Sequence, residues 1–192
     1  MGGQGRPETV APTGAKPEVL RDLVVYLSRR TNLNGTRVQK LLYLVEAEYA
    51  DRHGVRLMDH EFYHDRFGMN SKVLEDRVLA MSEKRGGPLV LTFQKTDAGV
   101  GFRVGVRGDI PEPKLPHDVK EACDFVVTKY GSMSLTSLVH AAKQTLPFYG
   151  TAKGEKLDWS ALLNRCPSDH EDQLSARGRE ILERAMRLHE VA

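Results

Sequence analysis

A chain of 192 residues can enclose one hydrophobic core, and its 28 basic and 26 acidic side chains leave it near electrical balance. That balance excludes the overall positive excess of a dedicated nucleic-acid binder, and no run approaches the roughly eighteen apolar residues of a membrane-spanning helix. Two cysteines, Cys123 and Cys166, form no C-x-x-C pair, which argues against a disulfide framework, a zinc motif or a redox motif and makes a reducing cytoplasm the expected compartment.

Residues 1–17 carry Gly2, Gly3, Gly5, Pro7, Pro12, Gly14 and Pro17 without the apolar block of a signal peptide, and are expected to be a disordered tail. Val19, Leu20, Leu23, Val24 and Leu27 form a stripe that predicts a helix over 18–30, followed by the turn residues Thr31, Asn32, Asn34 and Gly35. Thr36 and Gln39 have capping-box spacing at the start of the next helix. Val38, Leu41, Leu42, Val45 and Tyr49 share one face of it, while Tyr43 and Leu44 carry apolar surface around the side. A helix enclosed on nearly all sides is therefore expected over about 37–52, with Gly54 as its left-handed cap.

The aromatics Phe62, Tyr63 and Phe67, with Met58, predict an extended segment over 56–67. Asn70 or Ser71 caps a third helix reaching Lys84, with Val73, Leu74, Val78 and Met81 as its buried positions. Leu89, Leu91 and Phe93 alternate, as do Phe102, Val104 and Val106, around the turn residues Asp97, Ala98 and Gly99; this predicts a β-hairpin at about 88–107. Pro111, Pro113 and Pro116 make 109–116 a linker.

Helices follow over 118–130, closed by Gly131, and over 135–144 behind the cap Ser134; residues 146–157 read as a loop before a helical turn at 159–163. Leu174, Ile181, Leu182, Ala185 and Leu188 mark an amphipathic helix over 171–190, within a C-terminal unit of 168–192, that either packs back or pairs with a second copy in a homodimer. The expected fold is mainly α within the α+β class: one domain over 18–165, with winged-helix-like element order in its N-terminal half and a helical C-terminal half.

Several of these segments, taken in order, resemble a known family. Lys40-Leu41-Leu42-Tyr43-Leu44, the turn His53-Gly54, an aromatic strand and Phe67-Gly68 look like the opening half of the Panacea, or SocA-like antitoxin, domain. Lys129-Tyr130-Gly131 and Ser134-Leu135 leading to Leu138-Val139-His140 are similar to its second half, so that the likeness spans about 20–163. Met69 stands where the family has proline, Val139 where it has a small hydroxyl residue, and Pro147-Phe148-Tyr149 where it has tryptophan, as in a divergent member. The resemblance implies a small helical protein without catalytic residues or a cofactor. Its implied partner is a cognate toxin, neutralised by direct binding or delivered to an ATP-dependent protease.

The candidate functional residues follow from charge and aromaticity. The resemblance implies a partner surface on the exposed aromatic and charged residues flanking the family-like segments, Tyr63, Phe67, Lys72, Phe148 and Tyr149, because aromatics dominate binding energy at interfaces, with Trp159 assigned to the core. Lys84, Arg85, Lys95, Arg103 and Arg107, against Asp97 alone, give the hairpin region a local charge of +4 and form the candidate nucleic-acid contact. The alternative function is thus a winged-helix DNA-binding regulator; the apolar 41–45 segment leaves only Arg37, Gln39 and Lys40 of its helix to face DNA, and the helix from Lys72, with Arg77 and Lys84, suits base reading better.

His60 and His64, with Asp59, Glu61 and Asp65, have the ligand types of a metal site; on a strand, however, the two histidines lie two pleats apart, and no metal is expected. Neither His140, expected to be buried against the following aromatic loop, nor Cys123 has the partners that catalysis needs. The chain also lacks a G-x-S-x-G elbow and a Walker glycine loop, so no enzymatic activity is expected.

Overall fold

The computed structural model describes residues 17–58, 60–66, 68–83, 87–96, 99–108 and 110–163. The expected tail, apart from Pro17, and the expected C-terminal helix lie outside the described residues, as do Asp59, Phe67, Lys84, Arg85, Asp97 and Cys166.

The second helix organises the rest. α1 (Pro17–Ser28) leads through β1 (Leu33–Asn34) into α2 (Gly35–His53), which is buried without interruption from Val38 to Ala47. The expectation of an enclosed helix therefore holds, but its start differs. Asn34, extended at φ −124°, accepts a hydrogen bond from the Arg37 amide at 2.9 Å and is the N-cap in place of Thr36. The displacement has a tertiary cause: Asn34 is paired with Arg103 in a sheet, so the backbone stays extended up to Asn34 and coils directly after it. A Cβ at Gly35 would lie 2.9 Å from the Phe102 ring, so a larger residue there would require that ring to shift. Gly54, at φ 65°, closes the helix as a left-handed cap and donates to the Ala50 carbonyl.

After α2 the chain forms a hairpin that the sequence pattern did not reveal, β2 (Tyr63–Asp65) antiparallel to β3 (Gly68–Asn70). Among the described residues of the expected extended segment, Tyr63–Asp65 form a strand. α3 (Lys72–Glu83) follows, capped by the Ser71 hydroxyl. It buries Leu74 and Val78, four residues apart, whereas Val73, expected inside, is 53% exposed because it sits a quarter-turn off that face.

The predicted long hairpin is present as β4 (Leu89–Thr96) and β5 (Gly99–Val106), and β1 pairs with β5 to give the sheet order β1-β5-β4. Helix, strand, helix, helix and a two-stranded wing is the winged-helix-like order expected of the N-terminal half, with β2 and β3 inserted between its second and third helices.

The proline-rich stretch 110–116 has no regular structure and is tied to the end of α1, with Arg29 donating to the Ile110 carbonyl and Arg30 to the Glu112 carboxylate. The helical half follows as α4 (His117–Tyr130), α5 (Leu135–Lys143), α6 (Leu146–Tyr149) and α7 (Ser160–Leu163). Gly131 closes α4 as expected, its amide donating to the Val127 carbonyl, with a right-handed φ of −62°. α6 lies inside the expected loop, its proline accepted in the first turn where no amide donor is needed. α4 lays Val119, Ala122, Cys123 and Val126 on α2, joining both halves around one core. No helix among the described residues is long and apolar enough to cross a membrane.

Candidate partner-binding surface

Three polar contacts inside the core fix the surface. Lys40 is buried and donates to the Met69 carbonyl, which anchors β3 to α2. Burial pushes its pKa down to about 8, with Lys143 adding to the depression and Asp65 opposing it. Gly68 adopts φ 97°, which favours glycine, and lies beside Val139 and Lys143 of α5, where a Cβ would be in ordinary contact at 3.6 and 3.7 Å. Tyr43 shares a hydroxyl contact with Thr145 and stacks edge-on against Phe62, with ring centres 5.3 Å apart. Lys40, Gly68, Val139 and Lys143 thus meet at one junction of α2, β3 and α5.

Glu46 forms the second contact. It is fully buried, pairs with Arg56 Nε at 2.7 Å and accepts from the Met58 amide at 2.7 Å. Arg56 also donates to the His60 carbonyl at 2.5 Å and lies over the Trp159 ring, joining the chain after α2 to the start of α7. Desolvation raises the Glu46 pKa to about 7 in spite of Arg56.

The third contact separates the two histidines. His60 is buried, its Nε2 3.0 Å from Arg77 on α3, whereas the His64 Nδ1 meets the Thr151 carbonyl at 2.7 Å. Among the described residues no group of three or more His, Cys, Asp or Glu is placed to hold a metal ion. Cys123 is buried and its thiol is pushed up to about 12, far from a reactive thiolate. His140, expected inside, is exposed, because α5 packs through Leu138 and Ala142 and residue 140 faces away from both.

The expected partner residues divide. Tyr63 is 43% exposed on β2 and donates to Glu61 at 2.7 Å, and Lys72 is exposed at the start of α3. Tyr149 is half-buried. Phe148, expected to face a partner, is instead 4% exposed: the turn of α6 directs it inward onto the His64 imidazole, with ring centres 3.9 Å apart. Trp159 is core, as expected.

The described basic residues of the long hairpin do not all share a face: Arg103 and Arg107 have the same strand parity, and Lys95 lies on the other side. Leu91, Phe93 and Lys95 share one face by the alternation of the strand, while Thr92 and its cross-strand neighbour Arg103 share the other. Arg107 is held by the Gly87 carbonyl at 2.6 Å. Toward its tip the hairpin runs past the core and leaves Phe93 64% exposed, leaning on Phe102 at 6.3 Å between ring centres; Val90, on the outer face, is 41% exposed. Alternation alone assigns Phe93 to the inner face, so only the extent of the core beneath it marks it as a surface residue. No protein-family model, no curated protein and no solved structure matches the chain.

Proposed function

We propose that this chain is a non-enzymatic protein-binding module of the antitoxin kind, acting in the cytoplasm by holding a cognate toxin or by handing it to an ATP-dependent protease. The observation that carries the reading is the long hairpin, where Phe93 stands in solvent against Phe102 while Lys95 and Arg103 are divided between opposite faces. Exposed rings and aliphatic side chains gain most from leaving water at an interface. A nucleic-acid duplex asks for the reverse, cations on one face aligned with phosphates. The Panacea resemblance supplies the class of partner, and Tyr63 and Lys72 supply further exposed contact chemistry.

The alternative, a winged-helix regulator, draws on the element order and on α3 as the groove-reading helix. Against it, Glu75 and Asp76 on α3 repel the phosphates that Lys72 and Arg77 attract.

Co-expression with the product of the adjacent gene tests the proposal. The expected outcome is growth arrest by that product alone, relief by this chain, and a complex recovered in pull-down. Phe93→Ser and Tyr63→Ala are expected to weaken the complex at unchanged melting temperature. A harmless neighbour that yields no complex overturns the antitoxin reading.

A further inference from the structure

β4 is an outer strand of its sheet, so one of its edges faces no other strand among the described residues. The ladder shows which backbone groups that edge offers. The Arg107 amide donates to the Pro88 carbonyl at 3.1 Å, on the register that pairs Leu89 with Val106. Hydrogen-bonded pairs alternate along an antiparallel ladder, so Val90, Thr92 and Gln94 bond to β5 while Leu91, Phe93 and Lys95 turn their amides and carbonyls outward. Among the described residues no backbone group bonds to these outward ones. α3 packs on β4 and Leu89 is fully buried, but Leu91 is only half-buried and each residue from Thr92 to Lys95 is exposed. Outward backbone groups and accessible side chains thus coincide over 91–95. Leu91, Phe93 and Lys95 also share one face, and the Lys95 ammonium makes no hydrogen bond or ion pair among the described residues.

We infer that a strand of the protein partner extends the sheet at this edge, antiparallel to β4, with apolar residues opposite Leu91 and Phe93 and a carboxylate opposite Lys95. An extended segment gains main-chain hydrogen bonds from such an edge and specificity from its alternate side chains. Phe93, 64% exposed, offers apolar surface for the partner to cover, and Lys95, two residues along the same face, offers an unpaired charge. A second copy matches the edge less well. β4 has no acidic residue, so a copy of it brings Lys95 no carboxylate, and a lysine on an open edge opposes pairing with a like-charged strand. The inference rests on the protein-binding reading and deepens it by stating how the partner is held.

The test titrates isotope-labelled full chain with a synthetic peptide in which threonine alternates with glutamate, valine and valine, in that order from its N-terminus. Amide hydrogen exchange is the readout. In the free chain the amides of Leu91, Phe93 and Lys95 are expected to exchange much faster than those of Thr92 and Gln94, and saturating peptide is expected to slow the first three by roughly tenfold or more. Lys95→Glu is expected to weaken this peptide on the order of tenfold and to favour the same peptide with lysine in place of glutamate. Exchange that stays fast at all three amides throughout the titration overturns the inference. A Lys95→Glu chain that binds both peptides like the natural chain overturns the carboxylate assignment. Slow exchange before peptide is added also overturns it: a second copy covers the edge if the protection rises with protein concentration, and the chain itself does if it does not. Recovery of the complex with the neighbouring gene product alongside an unresponsive edge leaves the protein-binding reading in place and removes the edge from it.

Discussion

Glu46 sits in the middle of the most enclosed helix, between Val45 and Ala47, where a carboxylate loses its hydration and regains it only in part from Arg56 and the Met58 amide. Its pKa rises from the ordinary 4.5 to about 7 on folding. The folded chain therefore holds a proton on Glu46 that the unfolded chain has released between those values. By linkage, the Glu46 contribution to stability is most favourable below about pH 4.5 and declines as pH rises through about 7. Glu46→Gln keeps a neutral side chain at every pH, so the variant gains on the natural chain between pH 5.5 and 8. Urea denaturation at both pH values checks this, and a difference that does not change with pH would assign Glu46 an ordinary pKa. A single charge in an apolar helical run is visible in sequence, but its partner Arg56 lies beyond the helix end, and the pairing depends on how the chain turns back after Gly54.

The helices and the long hairpin were legible because periodicity and turn residues are local signals. The α2 stripe, Gly54 and the alternation in β4 and β5 each act within a few residues. β2 lies within the expected extended segment, but its pairing with β3 was not legible, nor were β1 and β3: two or three residues carry no period, and β1 exists only because Val104 and Arg103, about seventy positions later, pair with it. The same distant pairing explains the misread cap. Thr36 has capping-box spacing to Gln39, but Gln39 instead donates to Glu75 and accepts from the Ser71 amide, joining α2 to α3. Asn34→Ala is therefore expected to cost about 0.5–2 kcal/mol, as for loss of an N-cap, while Thr36→Ala costs less than about 0.5 kcal/mol at its exposed position. Chemical denaturation of the two variants separates the assignments, and the reverse ranking would restore Thr36 as the cap.

Across the whole molecule, the winged-helix-like order and the charge placement point in different directions, and a binding measurement separates protein from duplex partners. Sequence counting found five basic residues near the hairpin but could not show that strand alternation puts Lys95 and Arg103 on opposite faces, or that Arg107 is occupied by the Gly87 carbonyl. The aromatic candidates failed in a similar way at Phe148, where the composition of an interface residue and of a core residue is the same and only the turn of α6 decides. Electrostatic attraction to a duplex scales with the number of phosphates neutralised at once, and each contact steepens the fall of affinity with salt. With cations split between faces and Glu75 and Asp76 on α3, few phosphates can be met together. The full chain is thus expected to bind duplex DNA negligibly at both 50 mM and 200 mM salt, conditions across which true phosphate binding falls by orders of magnitude. Lys95→Gln with Arg103→Gln is expected to leave that result unchanged in fluorescence anisotropy. Tight binding at the lower salt that weakens at the higher salt and with both substitutions would instead make the hairpin a nucleic-acid wing and the chain a regulator.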